Sequence, residues 1–363
     1  MLYYLLYPLH PLFSALNLFR YITFRAIMAA LTAFLISLIA GPAVIRRIRE
    51  LSIGQNIRGQ EESKKLHELH SKKQGTPTMG GILILVAVFS STLLWGELGS
   101  GPLQMVMFCT LWLGVTGFID DYLKHSRKCS KGLTATAKFT SQIVLGLLIG
   151  SVLFLDPRHS TVLDVPFLKD VSIDLGVFYI VFVIAVITGT SNAVNLTDGL
   201  DGLAIGSVIM AAVAFTVLCY VTGNARFSDY LLIPYIRGAG ELTVFCASLL
   251  GAGLGFLWFN CYPAEIFMGD VGSLALGGAL GVVAVLIKKE LLLVVVGGIF
   301  VLEALSVILQ VASFKLTRKR IFKIAPLHHH FQFLGWQENK VIVRFWIIGI
   351  MLALLTIVTL KIR

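Results

Sequence analysis

Long apolar blocks with few or no charges recur along the chain, and most of the Lys, Arg, Asp and Glu residues lie in the segments between them. A helix rising 1.5 Å per residue crosses the roughly 30 Å hydrocarbon core of a bilayer in about 20 residues. The blocks predict ten membrane helices, at residues 22–44, 78–95, 102–119, 135–155, 175–193, 203–221, 242–259, 271–287, 291–311 and 341–360. The second and eighth barely reach the required length, and both carry glycine pairs, Gly80–Gly81 and Gly277–Gly278, which permit close helix contact. Residues 3–18 are interrupted by Pro8, His10 and Pro11 and lack a basic leader, so they read as an interfacial lead-in. The expected fold is an all-α polytopic integral membrane protein, one transmembrane domain over residues 1–363.

Composition excludes the soluble alternative. Of 363 residues, 56% are hydrophobic and only 14% charged, where a soluble domain carries about 25% charged residues. The net charge of +10 in a soluble chain would suggest nucleic acid. Here topology accounts for it, and no nucleic-acid partner is expected. Ten crossings put both termini on one side. The loops at 45–77, 120–134 and 312–340 hold eight, four and five Lys or Arg, while those at 194–202 and 260–270 hold none. The opposite set, with the terminal residues, holds ten, leaving aside Lys138, Lys340 and Arg344 at boundaries. The inside-positive bias places the first five loops in the cytoplasm and both termini outside it. The five cysteines are scattered without a CxxC pair, so neither a disulfide framework nor a thiolate metal cage is supported.

The polar clusters that resist a structural explanation all fall on that same face. Asp120 and Asp121 close a span reading GFIDDYLK, where carboxylates at a helix C-terminus oppose the macrodipole. One could face a phosphate and the other a cation or a basic side chain; an ordinary polar cap is the plain alternative. In SNAVNLTDGLDGL, Asp198 and Asp201 share a face if that stretch is helical, Asn192 and Asn195 repeat the spacing, and Gly199 and Gly202 permit close backbone approach. Asp270 opens an apolar span, either as a helix cap or as an oxygen ligand for a divalent cation such as Mg²⁺. His328, His329 and His330 lack the spacing of a helical zinc site, and donating to phosphate oxygens is the simpler role. With no Walker loop and no GxGxxG, the inventory describes polyanion chemistry with an oxygen-bound metal at a membrane interface. A transporter would place charge near mid-membrane, where Glu303 is the clear candidate.

The segments KKQGTPTMGG (72–81), GFIDDYLK (117–124), SNAVNLTDGLDGLA (191–204), AEIFMGDVGSLALGG (264–278), PLHHHFQ (326–332) and ENKVIVRFW (338–346) closely resemble the bacterial phospho-N-acetylmuramoyl-pentapeptide-transferase family. That family lies within the polyprenyl-phosphate N-acetylhexosamine-1-phosphate transferases. The resemblance implies transfer of phospho-MurNAc-pentapeptide from UDP-MurNAc-pentapeptide to undecaprenyl phosphate, with Mg²⁺ as cofactor, in the bacterial inner membrane. It also implies ten transmembrane helices, a cytoplasmic cleft and a homodimer. Carried onto this chain, it makes Asp270 the metal ligand and Asp120, Asp121, Asp270 and His328 the catalytic set. Asp198, Gly199, Leu200, Asp201, Asn260 and Phe267 would form the uridine side. Lys73, Lys124, Asn195, His329 and His330 would contact substrate. The alternatives are a sibling enzyme using UDP-GlcNAc and a lipid or nucleotide-sugar transporter.

Overall fold

A computed structural model describes residues 1–51, 75–126, 132–166 and 172–361. Among the described residues the regular structure is helical apart from one two-stranded antiparallel sheet, β1 (Val162–Asp164) and β2 (Ser172–Asp174). Ten helices form the bundle: α1 (Ile22–Glu50), α2 (Gly81–Trp95), α3 (Gly101–Ser126), α4 (Ala135–Leu155), α5 (Phe178–Thr197), α6 (Leu203–Thr222), α7 (Ala239–Asn260), α8 (Gly269–Leu286), α9 (Gly298–Thr317) and α10 (Glu338–Val358). Among the described residues, nine helices are long and apolar enough to cross a membrane. α2 is equally apolar but has only 15 residues, about 22 Å at the usual rise.

Apolar patterning decides which helices lie inside. α8 is apolar on every side, and every residue from Val271 to Leu286 is buried, as an all-round hydrophobic helix requires. It packs on α3 and α5, while α7 packs on α1 and α6. Peripheral helices turn Leu, Ile, Val and Phe outward, as on Ile39, Leu155, Ile308 and Met351. That is a liability in water and the normal state against lipid. The glycine pairs serve close packing. A Cβ on Gly81 would overlap the Gly272 backbone, and Cβ atoms on Gly277 and Gly278 would overlap Thr190 and Leu113.

Several helices run further than hydropathy suggests. α3 continues past Asp120 and Asp121 to Ser126, and α5 runs through Asn192 and Asn195 to Thr197. Polar residues extend a helix beyond an apolar block without loss once their side chains find partners. The ninth apolar block is divided: a short helix, Leu292–Val296, stops at Gly297, and α9 starts at Gly298. Two adjacent glycines weaken a helix at that point. At the other end of the bundle from the acidic clusters, Arg25 forms a bidentate pair with Glu241, at 2.8 and 2.5 Å. Arg25 also donates to the Trp95 carbonyl, and Glu241 accepts the Glu97 N–H. One buried ion pair thereby joins the starts of α1 and α7 to the end of α2.

Candidate active site

α3 and α8 approach closely because Gly117 has no side chain; a Cβ there would overlap the Asp270 carbonyl. This brings Asp120 and Asp121, near the end of α3, to Asp270, the second residue of α8. One carboxylate oxygen from each lies within 4.8 Å of the others. Asp120 is fully buried and Asp121 nearly so, whereas the Asp270 side chain is partly open to solvent.

Two ammonium groups bind these carboxylates. Lys124 Nζ lies 2.5 Å from Asp120, 3.3 Å from Asp121 and 3.1 Å from Asp270. Lys138 Nζ, from α4, lies 2.9 Å from Asp120 and pairs with Asp270 as well. Backbone and amide donors supply the rest. Leu133 N–H donates to Asp120 Oδ1 at 2.6 Å, and Val271 N–H to Asp121 Oδ2 at 3.2 Å. Asn195 Nδ2 donates to Asp270 Oδ1 at 2.9 Å and to Ser273 Oγ at 2.8 Å. Three carboxylates against two ammonium groups leave a negative balance, and the donor set is all oxygen. Those are the terms on which a hard divalent cation such as Mg²⁺ binds.

Asp198, Gly199, Leu200, Asp201 and Gly202 form a turn between α5 and α6 rather than a helix. Asp198 and Asp201 therefore do not share a helical face. The half-buried Asp198 faces the Gly269 N–H. Burial pushes its carboxyl up to about 7, and the Asp270 and Asp121 charges push the same way. Gly269 has φ +73°, and a Cβ there would crowd Asp121 Oδ2 and Thr78 Oγ1, so glycine is needed on both counts. Asp201 Oδ2 accepts the Ala264 N–H at 3.0 Å, and its own N–H donates to Glu338 at 3.2 Å. Asn260 is buried and bonded at both ends: Oδ1 accepts the Gly202 N–H at 3.0 Å, and Nδ2 donates to the Ile266 carbonyl at 2.7 Å. Leu200 packs with Leu203, Val341 and Phe345. Phe267 is half-buried, and its backbone bonds to Pro77 and Gly80.

The histidines divide by task. His328 is fully buried, and its Nε2 lies over Gly199, where any Cβ would overlap the ring. Its N–H donates to Glu303 Oε1 at 3.1 Å, and its Nδ1 lies 3.1 Å from Glu303 Oε2. His329 bonds Gln332 at 2.9 Å, and His330 Nδ1 accepts the Lys323 N–H at 3.1 Å. Those two stabilise their own segment, the short helix Leu327–Phe333.

The structure thus joins Asp120, Asp121, Asp270, Lys124 and Asn195 in one cluster, with Asp198 beside it and His328 across Gly199. Asp270 is not a helix cap, since Met268 occupies that place and no side chain caps it. Asp120 and Asp121 lie before the last turn of α3, which Lys124 and His125 occupy, so the macrodipole misfit disappears. Lys73 lies outside the described residues. Sequence reasoning missed Lys138, Ser273 and the Glu303 partner of His328. Lys138 had a signal: a lysine one turn into an otherwise apolar helix.

The family model described as Glycosyl transferase family 4 matches residues 103–288, and the one described as Phospho-N-acetylmuramoyl-pentapeptide-transferase signature 1 matches residues 73–85. Proteins named phospho-N-acetylmuramoyl-pentapeptide-transferase from Desulfotalea psychrophila and Citrifermentans bemidjiense are 54% identical to this chain. One of the same name from Geobacter sp. strain M21 is 55% identical. Each alignment covers 100% of both chains.

Proposed function

The chain belongs to the phospho-N-acetylmuramoyl-pentapeptide-transferase family, and from that premise we propose how its residues carry the reaction. It transfers phospho-MurNAc-pentapeptide from UDP-MurNAc-pentapeptide to undecaprenyl phosphate, giving undecaprenyl-diphospho-MurNAc-pentapeptide and UMP. The observation that carries the residue roles is the meeting of Asp120, Asp121 and Asp270 with Lys124 and Lys138 at one end of the bundle.

A lipid phosphate oxygen attacks the phosphorus attached to MurNAc; the bond to the bridging oxygen breaks, and UMP leaves. The lipid phosphate is already anionic near neutral pH, because its second pKa lies near 6. The main barrier is bringing two anions together. Lys124 and Lys138 lower it by presenting ammonium groups to the phosphates. Asp120 orients both lysines rather than receiving the proton, since Oδ1 accepts the Leu133 N–H and Oδ2 is ion-paired with the two ammonium groups. Asp270, with Asp121 beside it, would hold Mg²⁺, which would supply charge neutralisation on the diphosphate. His328 donates to the diphosphate. Asp198, Gly199 and Asp201, with the half-buried Phe267, form the uridine side, and Asn260 holds their two loops together. Lys73 adds charge, and His329 and His330 add ring nitrogens, at the rim.

The chain crosses the inner membrane ten times, with both termini outside the cytoplasm and the site facing it. The distribution of Lys and Arg supports that orientation. The short α2 counts as a crossing because its lead-in is sheltered by protein: Gly80 and Gly81 N–H donate to the Phe267 and Met268 carbonyls. Non-helical backbone is tolerated at membrane depth where protein satisfies it. The working unit is a homodimer.

The test is product identity. Purified protein with undecaprenyl phosphate and Mg²⁺ is expected to release UMP with UDP-MurNAc-pentapeptide and not with UDP-GlcNAc. Release with UDP-GlcNAc alone would assign the sibling reaction. Vectorial uptake into proteoliposomes without UMP release would assign transport.

A further inference from the structure

A second polar layer lies one helical turn below the acid cluster, made by Trp112, Thr116, Ser141, Gln142, Ser191 and Asn192. Trp112 Nε1 donates to Ser141 Oγ at 3.0 Å, and the Thr116 and Ser141 hydroxyls are 2.9 Å apart. Gln142 is fully buried. Its Nε2 donates to Ser191 Oγ at 3.1 Å, and its Oε1 accepts from Asn192 Nδ2 at 2.8 Å. These positions repeat the site above on each helix. Thr116 precedes Asp120 by a turn on α3, Gln142 follows Lys138 by a turn on α4, and Asn192 precedes Asn195 by nearly a turn on α5.

The geometry of α4 explains what such a layer is for. α4 rests mainly on α5. Further along that seam the contact is small against large, Gly146 on Ile184 and Gly150 on Ile180. Those contacts hold the register by van der Waals packing alone, since lipid supplies no hydrophobic force between helices. A buried carboxamide adds a directional constraint. It is costly unless its donor and acceptor are both paired, and only one register gives Gln142 both Ser191 and Asn192. Buried polar side chains fix register in paired helices by the same means.

We infer that Gln142 is a positioning residue for the transfer reaction: by locking α4 to α5 it holds Lys138 at Asp120 and Asp270. Ser141, its neighbour, ties the same turn of α4 to α3. This inference rests on the transferase reading above. α4 supplies the Lys138 ammonium to the cluster, so a slip of α4 withdraws one of the two cations while leaving the uridine side in place.

The test compares two changes in the same seam, in the full-length protein in detergent, by UMP release and thermal unfolding. Gln142→Leu keeps the packing and removes the register lock. Its kcat is expected to fall about 10–100-fold, with the KM for UDP-MurNAc-pentapeptide within about twofold of wild type, the signature of misplaced chemistry. Its Tm should match or exceed that of wild type. Ile184→Val, which only thins the seam, should lower Tm and leave kcat unchanged. If Gln142→Leu is not recovered folded, Gln142→Met carries the same comparison. Wild-type kcat in the Gln142 variant, or a kcat loss that tracks Tm in both variants, would overturn the inference. Absence of UMP release by the wild type would instead fail the transferase reading.

Discussion

Glu303 grips His328 twice: one carboxylate oxygen accepts the His328 backbone N–H at 3.1 Å, and the other lies 3.1 Å from Nδ1. Both groups are buried, so the carboxylate beside Nδ1 holds the ring with Nε2 toward Gly199. Glu303→Gln keeps an acceptor for the backbone but withdraws the charge, and Glu303→Leu removes both. The expected order of UMP release is wild type, then Gln, then Leu, with the Leu variant down about tenfold or more. Equal rates in all three would remove Glu303 from the positioning of His328.

Asp270→Asn should nearly abolish turnover, by about 100-fold or more, in a protein that still unfolds cooperatively. The amide keeps the shape but gives up the charge that Lys124 and Lys138 share and that a divalent cation needs. Calorimetric Mg²⁺ titration of wild type and variant checks this directly. Identical binding and identical activity would sink the assignment.

Much of this was legible in the chain. Uncharged blocks located the helices, and the grouping of Asp120, Asp121, Asp198 and Asp270 on one side of the bundle followed from alternation of the loops. What stayed hidden depends on packing across helices. Lys138 looked like a boundary residue because nothing in its neighbourhood says that α4 will turn it toward Asp270. Glu303 looked unpaired because its partner lies 25 positions on, in a different element. Asn260 has the chemistry of a base reader, yet its amide is engaged by Gly202 and Ile266. Residue type and spacing list the available donors, and only the tertiary contacts show which are already taken.

Asp198 should make stability depend on pH. Its carboxyl is pushed up to about 7 in the folded protein, against about 3.9 in an unfolded chain. Below the lower value both states are protonated and the group contributes nothing. Between the two, unfolding releases a proton, so stability falls as pH rises. Above about 7 both states are ionised and the cost is constant. In Asp198→Asn the gain in Tm over wild type should therefore grow from near zero at about pH 4 to its full size above about pH 7. Thermal unfolding without divalent cations measures it, and a gain independent of pH would contradict the assignment.

The Arg25–Glu241 pair should matter to stability alone. Removing one member leaves the other charge buried without its partner, a loss of about 3–5 kcal/mol. Glu241→Leu is expected to lower Tm sharply while the fraction that remains folded retains wild-type kcat. A kcat loss without a Tm loss would show coupling to the reaction end of the bundle.

The complete enclosure of α8 has a mechanical consequence. Asp270 rides on the most enclosed of the spanning helices, and moving that helix means repacking all its neighbours at once. The lysines opposite it stand on α3 and α4, which are less enclosed and bounded on one side by lipid. Asp270 is therefore the fixed reference of the site, and the ammonium groups depend on the seams of α3 and α4 to keep their place beside it. A membrane-soluble compound wedged between α3 and α4 would stop transfer from the lipid phase, touching neither the nucleotide pocket nor an aspartate.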